Sequence, residues 1–294
     1  MEIEISFKSG GIDIVGVLHR PDKATSGQLA PAVITTHGFG GSKIDGSMLA
    51  VCRQLCDWGY LALRLDMRGC GHSGGPRGHV IPAEQVVDVN NAVTWLLAQE
   101  GVDKDRVLLL GDSMGGAVSL FAGSTDARIA GVVSVGGWGN GAQRLEQQHT
   151  ALGSWDRLQD MLREGREHRE RTGQPMMVSR FDIIPIPVHM RHQLPADAIM
   201  EFPVDTAQGI FDFLPNSVIG RLAPRPLLLI HASRDAVTPT ASTVEIFQHA
   251  ELPKDLVLLS GLDHFPLATG SPRIYGVIKG WLDLYFPLTQ AQPG

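Results

Sequence analysis

Short apolar runs alternate with helix-patterned segments along most of this chain, and that alternation restricts the fold more than any other feature. Residues 32–36 (AVITT), 60–65 (YLALRL), 106–110 (RVLLL), 130–135, 226–231 (PLLLIH) and 255–260 have the length and apolarity of buried strands. Residues 46–58 carry Met48, Leu49, Cys52, Leu55 and Cys56 at helical spacing, with Gly59 as a stop. Pro82 opens a second helix that runs to about Glu100, with Val86, Val89, Val93, Leu96 and Leu97 on one face and Gly101 at its end. Further helices start near Met114 and cover 240–250 and 272–286. Strands that alternate with helices pair in parallel and need cover on both faces. The expected fold class is therefore α/β: a mostly parallel twisted sheet with helices on both faces. Residues 3–7 and 12–19, separated by Gly10-Gly11, add an antiparallel hairpin at the start.

One stretch breaks the rhythm. Residues 138–222 hold a polar, charge-rich helical segment at about 154–171, then a stretch punctuated by Pro175, Pro185, Pro187, Pro195, Pro203 and Pro215. No sheet-like apolar run fits there. Its Phe181, Ile184, Ile186, Met190, Phe202, Ile210 and Phe213 supply apolar surface to pack, so it reads as an inserted cap over a site rather than a loose loop. The core is then divided into 1–137 and 223–294.

Composition removes several function classes. With 43% hydrophobic and 19% charged residues, the 294-residue chain can build a large core and is not a disordered type. A net charge of -6 argues against a nucleic acid or an anionic membrane surface as partner. No apolar run approaches the roughly 18 residues that a membrane span needs. The N-terminus, MEIEISFKSGG, alternates like a strand and lacks the apolar core of a signal peptide. Cys52, Cys56 and Cys70 are too few for a disulfide framework, which makes a reducing cytoplasm the default compartment. Cys52 and Cys56, at i and i+4, read as small buried side chains, not as a metal or redox pair. No metal or cofactor motif appears, so none is expected. Self-association is left open.

Chemistry enters with a serine. The chain has two G-x-S-x-G matches, Gly71-His72-Ser73-Gly74-Gly75 and Gly111-Asp112-Ser113-Met114-Gly115. A nucleophile elbow needs a buried strand before the serine and a helix after it. Ser113 follows RVLLL and precedes AVSLFA, whereas Ser73 has loop on both sides. Ser113 is therefore the candidate nucleophile. A phosphate loop would need a lysine that this turn lacks.

A serine hydroxyl needs a base, the base an orienting acid, and the oxyanion donors. Each belongs at a strand's C-terminal end. His264, in Gly261-Leu262-Asp263-His264-Phe265, follows strand 255–260 and is the expected base. Asp235 lies just past strand 226–231 in PLLLIHASRDAVTP and is the expected acid. His231 ends the same strand, but as the base it would reverse the chain order. Asp263 reads as a turn cap and Arg234 as a solvated or paired charge. For the oxyanion, Met114 offers an N–H at a helix start. Phe39, in Thr36-His37-Gly38-Phe39-Gly40-Gly41, offers the other, with His37 as a brace for that loop.

HGFGG, DMRGCGHSGG, GDSMGG, SRDAVTP and GLDHF stand in the order and spacing of the α/β-hydrolase superfamily, which the chain resembles over about 30–136 and 224–286. It looks like the esterase and acyl-hydrolase branch, near cinnamoyl-esterase-like and dienelactone-hydrolase-like members. The resemblance implies Ser113, Asp235 and His264 as a triad, and Phe39 and Met114 as oxyanion donors. One departure is Asp112, where the family often has His or Glu. A buried acid so close to the nucleophile should have a partner. The implied activity is hydrolysis of a carboxylic ester through an acyl-enzyme. Thioesterase, amidase, C–C hydrolase, acyltransferase and perhydrolase share the machinery. Haloalkane dehalogenases and epoxide hydrolases do not, since they use Asp where Ser113 stands. A non-catalytic receptor would usually have lost a triad member. The apolar and aromatic content of the cap points to a small, moderately hydrophobic acyl or aryl substrate.

Overall fold

Parallel strands and their crossovers put the candidate residues at one edge. The computed structural model describes residues 1–21, 29–195, 197–268 and 270–288. The chain opens with the hairpin of β1 (Glu2–Ser9) and β2 (Ile12–His19), turned by Gly10 and Gly11 at φ 57° and 83°. Next come β3 (Ala30–Thr36), α1 (Gly46–Asp57), β4 (Leu61–Leu65), α2 (Pro82–Leu97), β5 (Val102–Asp112), α3 (Met114–Thr125) and β6 (Ile129–Val135). The segment that follows carries α4 (Gly141–Ala151), α5 (Trp155–Thr172), β7 (Met177–Ser179), α6 (Arg180–Ile183), β8 (Glu201–Pro203) and α7 (Val204–Asp212). The chain then returns with β9 (Leu227–Ala232), α8 (Thr240–His249), β10 (Lys254–Leu259) and α9 (Pro272–Tyr285).

The main sheet has the order β1-β2-β4-β3-β5-β6-β9-β10. From β4 to β10 every pairing is parallel, and β2 pairs antiparallel with both of its neighbours. Successive side chains on a strand point to opposite faces. Val33, Leu108 and Leu110 therefore pack with α1 and α9, while Ile34, Val107 and Leu109 pack with α2 and α3. Both faces are covered, as an all-apolar strand pattern demands. After β3 the chain first moves outward to β4, then crosses back to β5 on the other side of β3. That reversal opens a crevice at the C-terminal ends of β3 and β5, the usual ligand position in open α/β sheets.

Two details depart from the sequence reading. Helix α2 stops at Leu97, not near Glu100, because Ala98 and Gln99 close tighter turns on the carbonyls of Trp95 and Leu96 before Gly101. Residues 138–222 also contain strands where the sequence predicts none. β7 and β8 form an antiparallel ribbon, Met177↔Pro203 to Ser179↔Glu201. Three residues are too few to show a period of two. No helix among the described residues is long and apolar enough to cross a membrane. Burial pushes the thiols of Cys52 and Cys70 up to about 12, which keeps them as inert core groups.

The loop after β4 is anchored by two buried carboxylates. Asp66 accepts from the Lys43 N–H (2.5 Å), Lys43 Nζ (2.9 Å) and the His72 N–H (2.8 Å). Asp88, on α2, accepts from Ser9 Oγ (2.7 Å), the Arg68 N–H (2.9 Å) and Arg68 Nη2 (2.7 Å). Ser73 sits in this loop and is structural. Its Oγ donates to the Asp66 carbonyl (2.5 Å) and accepts from the Val15 N–H (2.9 Å). Removing one partner of a buried ion pair leaves the other charge uncompensated. Arg68 also reaches the half-exposed Glu84 (3.3 Å), so Asp88→Ala should cost about 3 kcal/mol in urea unfolding, and a loss of about 1 kcal/mol or less would show that Glu84 compensates Arg68 by itself.

Candidate active site

Ser113 lies between β5 and α3 with φ 54° and ψ -116°, the single non-glycine residue at positive φ among those described. Such a conformation costs about 1–3 kcal/mol and persists where the surroundings over-determine it. Here they do. The Ser113 N–H donates to the Val135 carbonyl (2.8 Å), and the Ala117 N–H to the Ser113 carbonyl (3.2 Å). The glycines around it are steric requirements. A Cβ on Gly111 would run into the Gly115 carbonyl oxygen, and one on Gly115 would run into that of Thr36. The strand, the helix and the neighbouring β3 loop are in backbone contact, and no side chain fits between them.

The structure brings together three of the sequence-derived candidates. Ser113 Oγ is 3.0 Å from His264 Nε2, and His264 Nδ1 is 2.8 Å from Asp235 Oδ2. His264 is 5% exposed and the Asp235 carboxylate is buried. Asp235 Oδ1 accepts from the N–H groups of Val237 (2.7 Å) and Thr238 (2.8 Å), which fixes its plane. Burial alone would raise its carboxyl, but His264 and His231 beside it hold it well below the usual carboxylate range. Chain order argues against His231 as the base, yet it touches the acid: its Nε2 is 3.1 Å from Asp235 Oδ2, and its Nδ1 is 2.5 Å from Thr243 Oγ1. A histidine four residues before the acid at a strand's end is the signal available in the sequence. Asp263 accepts from the Ala236 N–H (2.9 Å) and its own His264 N–H (2.8 Å), so it ties the two loops together. Arg234 is exposed.

Phe39 and Met114 line the same cavity as Ser113 and His264. A Cβ on Gly38 would be 3.5 Å from the Ser113 Cβ, so the β3 loop runs directly beside the serine. His37 braces that loop. Its Nε2 accepts from the Met67 N–H (3.1 Å), its Nδ1 is 2.9 Å from the Gly38 carbonyl, and burial lowers its pKa, which favours the neutral ring. A second brace comes from outside the core. Arg180 Nη2 donates to the Phe39 carbonyl (2.6 Å), its guanidinium lies 5.0 Å from the Phe39 ring centroid, and Phe39 stacks on Phe202 at 4.3 Å. Arg144, on α4, also lines the cavity. No sequence pattern distinguishes these two arginines from the other charges of 138–222. Among the described residues, no cluster of His, Cys, Asp and Glu could hold a metal ion.

Asp112 behaves differently from expectation. It lines the cavity, but its buried Oδ1 meets no donor among the described residues. Burial pushes its carboxyl well above 3.8, with repulsion from Asp45 and Asp235 adding to the shift. The raised carboxyl lessens the negative charge carried beside Ser113.

Residues 27–180 match the family of hydrolases described as serine aminopeptidase, S33. The polyketide transferase grgF of Penicillium sp is 25% identical over 254 residues, which is 83% of this chain and 84% of the relative. Its crystal structure superposes with a TM-score of 0.80 at 22% identity, covering 97% and 99% of the two chains. The thiohydrolase aneE of Aspergillus aculeatus is 26% identical over 265 residues, 82% and 80% of the chains. Est1E of Butyrivibrio proteoclasticus, solved with ferulic acid bound, has a TM-score of 0.69 at 17% identity over 96% and 98%. The structural likenesses establish the fold.

The Asp112 shift has a sign that can be checked. The folded protein retains a proton that the unfolded chain releases above 3.8, so this group costs stability as pH rises, by about 1.4 kcal/mol per pH unit until the folded pKa is reached. The amide of an Asp112→Asn variant would titrate in neither state. The melting temperature of Asp112→Asn minus that of the native protein should thus grow from pH 5 to pH 8, and a constant difference would show an ionised Asp112.

Proposed function

The chain belongs to the serine aminopeptidase S33 family of α/β-hydrolases, and we propose that it is a serine hydrolase that cleaves a carboxylic ester through an acyl-enzyme. The observation that carries this reading is the continuous relay from Ser113 Oγ through His264 to Asp235 at a strained strand-to-helix turn. Hydrolytic triads are recognised by that geometry.

In the proposed reaction His264 Nε2 takes the Ser113 proton as Oγ attacks the ester carbonyl. The N–H groups of Phe39 and Met114 receive the developing oxyanion. His264 then gives its proton to the leaving alkoxide, and the alcohol departs. A water molecule, deprotonated by His264, attacks the acyl-enzyme, and collapse returns the proton to Ser113 Oγ. Asp235 holds the Nδ1–H tautomer and stays ionised throughout. We take residues 138–222 as a cap, because Arg144, Arg180, Ile184, Ile186 and Ile210 from that segment wall the cavity. The substrate is then a small acyl or aryl ester with an apolar portion. A second reading has support from the relatives' names, polyketide transferase and thiohydrolase. In it the acyl group arrives as a thioester or leaves to an acceptor other than water. Comparing oxyesters with matched thioesters, with and without added alcohol, separates these fates.

Ser113→Ala should remove turnover of a chromogenic short-chain ester and labelling by a fluorophosphonate while the melting curve is kept. Retention of more than about a thousandth of the native rate would place the nucleophile elsewhere.

Asp235→Asn and Asp263→Asn offer a sharper contrast. An amide at 235 favours the wrong imidazole tautomer, a change that costs about 10⁴ in kcat in serine proteases. An amide at 263 keeps the carbonyl oxygen that the Ala236 and His264 N–H groups need. Its kcat should stay within a few-fold of native, and equal losses in the two folded variants would overturn the assignment of Asp235.

A further inference from the structure

Arg144, a buried cation with unpartnered donors, lines the reaction cavity. Arg144 is 2% exposed. Its Nη2 makes one long hydrogen bond, 3.4 Å to Thr238 Oγ1, and its Nε and Nη1 have no partner among the described residues. Nε carries one N–H and Nη1 two, so three of its five donors face no acceptor. No carboxylate among the described residues forms an ion pair with it; Asp235 is near enough to stabilise its charge at longer range but has its own partners. Asp235 is engaged by two histidines and two backbone N–H groups. Asp45 accepts from Ser47 at the start of α1. Asp112 is buried on its own without an ion pair. Arg180 adds a second guanidinium to the wall, 4% exposed, with its Nε also unpartnered.

Burying a guanidinium without a hydrogen-bonded anion is expensive, and protein interiors rarely retain one. Desolvation lowers the Arg144 pKa only to about 10, so the group stays a cation at neutral pH. Its planar donors match a planar oxyanion, and the largely apolar cavity favours a singly charged carboxylate over a phosphate. Trp138, Ile184, Ile186 and Ile210 line the same cavity and give it an apolar wall that would take a short methylene chain.

We propose that Arg144 binds a carboxylate on the acyl portion of the substrate, so that the preferred substrate is a half-ester of a dicarboxylic acid. The ester carbonyl lies at Ser113, the methylene chain lies against the apolar wall, and the free carboxylate pairs with the Arg144 guanidinium along an edge that includes Nη2. The turnover part of this inference rests on the acyl-enzyme reading; the binding part does not. A competing role for Arg144 is positioning, through Thr238, of the loop that holds Asp235. That role would change turnover of all esters alike.

The test compares mono-p-nitrophenyl adipate with p-nitrophenyl hexanoate, which differ in a terminal carboxylate against a methyl group. The native protein should show a kcat/KM at least tenfold higher for the adipate ester. Arg144→Met should reduce that ratio at least tenfold, mostly through KM, and Arg144→Lys should restore part of it. A native ratio of one or less, or a ratio unchanged in Arg144→Met, overturns the proposal. If Arg144→Met does not fold, native protein still decides. Free adipate should compete with the hexanoate ester where hexane-1,6-diol does not, and failure of adipate to compete sinks the idea. If neither ester turns over and Ser113 resists the fluorophosphonate, the acyl-enzyme reading fails by itself. The binding part is then read from the melting temperature with adipate: a rise that Arg144→Lys diminishes upholds it, and no rise overturns it.

Discussion

The site depends on a backbone contact that tolerates no side chain. Strand β5 and helix α3 meet at Gly111 and Gly115 so closely that a single Cβ on either would enter a carbonyl oxygen. The contact forces the turn, and the turn forces Ser113 to φ 54°. It also brings the β3 loop, through Thr36 and Gly38, directly against the serine. The strain at one residue is offset by burial of α3 against the sheet, where Ala117, Val118 and Leu120 are wholly enclosed. The cost of about 1–3 kcal/mol is matched or exceeded by burial of Val118 and Leu120 alone, at about 1.5–3 kcal/mol each. The geometry is therefore held by the core together with the backbone hydrogen bonds of Ser113.

A second dependence joins the core to the segment 138–222. The β3 loop is gripped from below by His37, which accepts from Met67, and from above by Arg180 and Phe202. A Cβ on Gly40 would lie 2.7 Å from the Phe202 ring, so the two surfaces are already in contact. The backbone proposed to receive the oxyanion thus has supports in both parts of the chain. Changes in the segment 138–222 would be felt at the reacting atoms as well as in the substrate pocket.

Much of this is legible in the residues. The strands and helices of the core have local signatures, apolar runs with Gly and Pro at their ends, and the structure follows them to within a few residues. Ser113 is separable from Ser73 because strand and helix flank one and loop flanks the other. The parts that are not legible share a cause. β7 and β8 are three residues each and exist through their mutual pairing. Arg144 and Arg180 sit among many charges of the same segment, and only the folded chain shows which two turn inward. Chain order says which histidine can be the base but not which others touch the acid, so it hides the contact that His231 makes. The unpartnered Oδ1 of Asp112 departs from the rule that a buried acid is paired, and the raised pKa of its carboxyl lessens the cost of that departure.

Asp235 has one more property that follows from its contacts. A carboxylate has about four lone-pair positions, and four nitrogens lie within hydrogen-bonding distance here: those of Val237, Thr238, His231 and His264. Three of them do not involve His264. The carboxylate would keep its orientation if His264 rotated away, so the two side chains need not be ordered together. The entropy of aligning the acid is settled once, when the chain folds. A departure of the imidazole breaks its bonds to Asp235 and Ser113 but leaves the acid aimed to receive it on return.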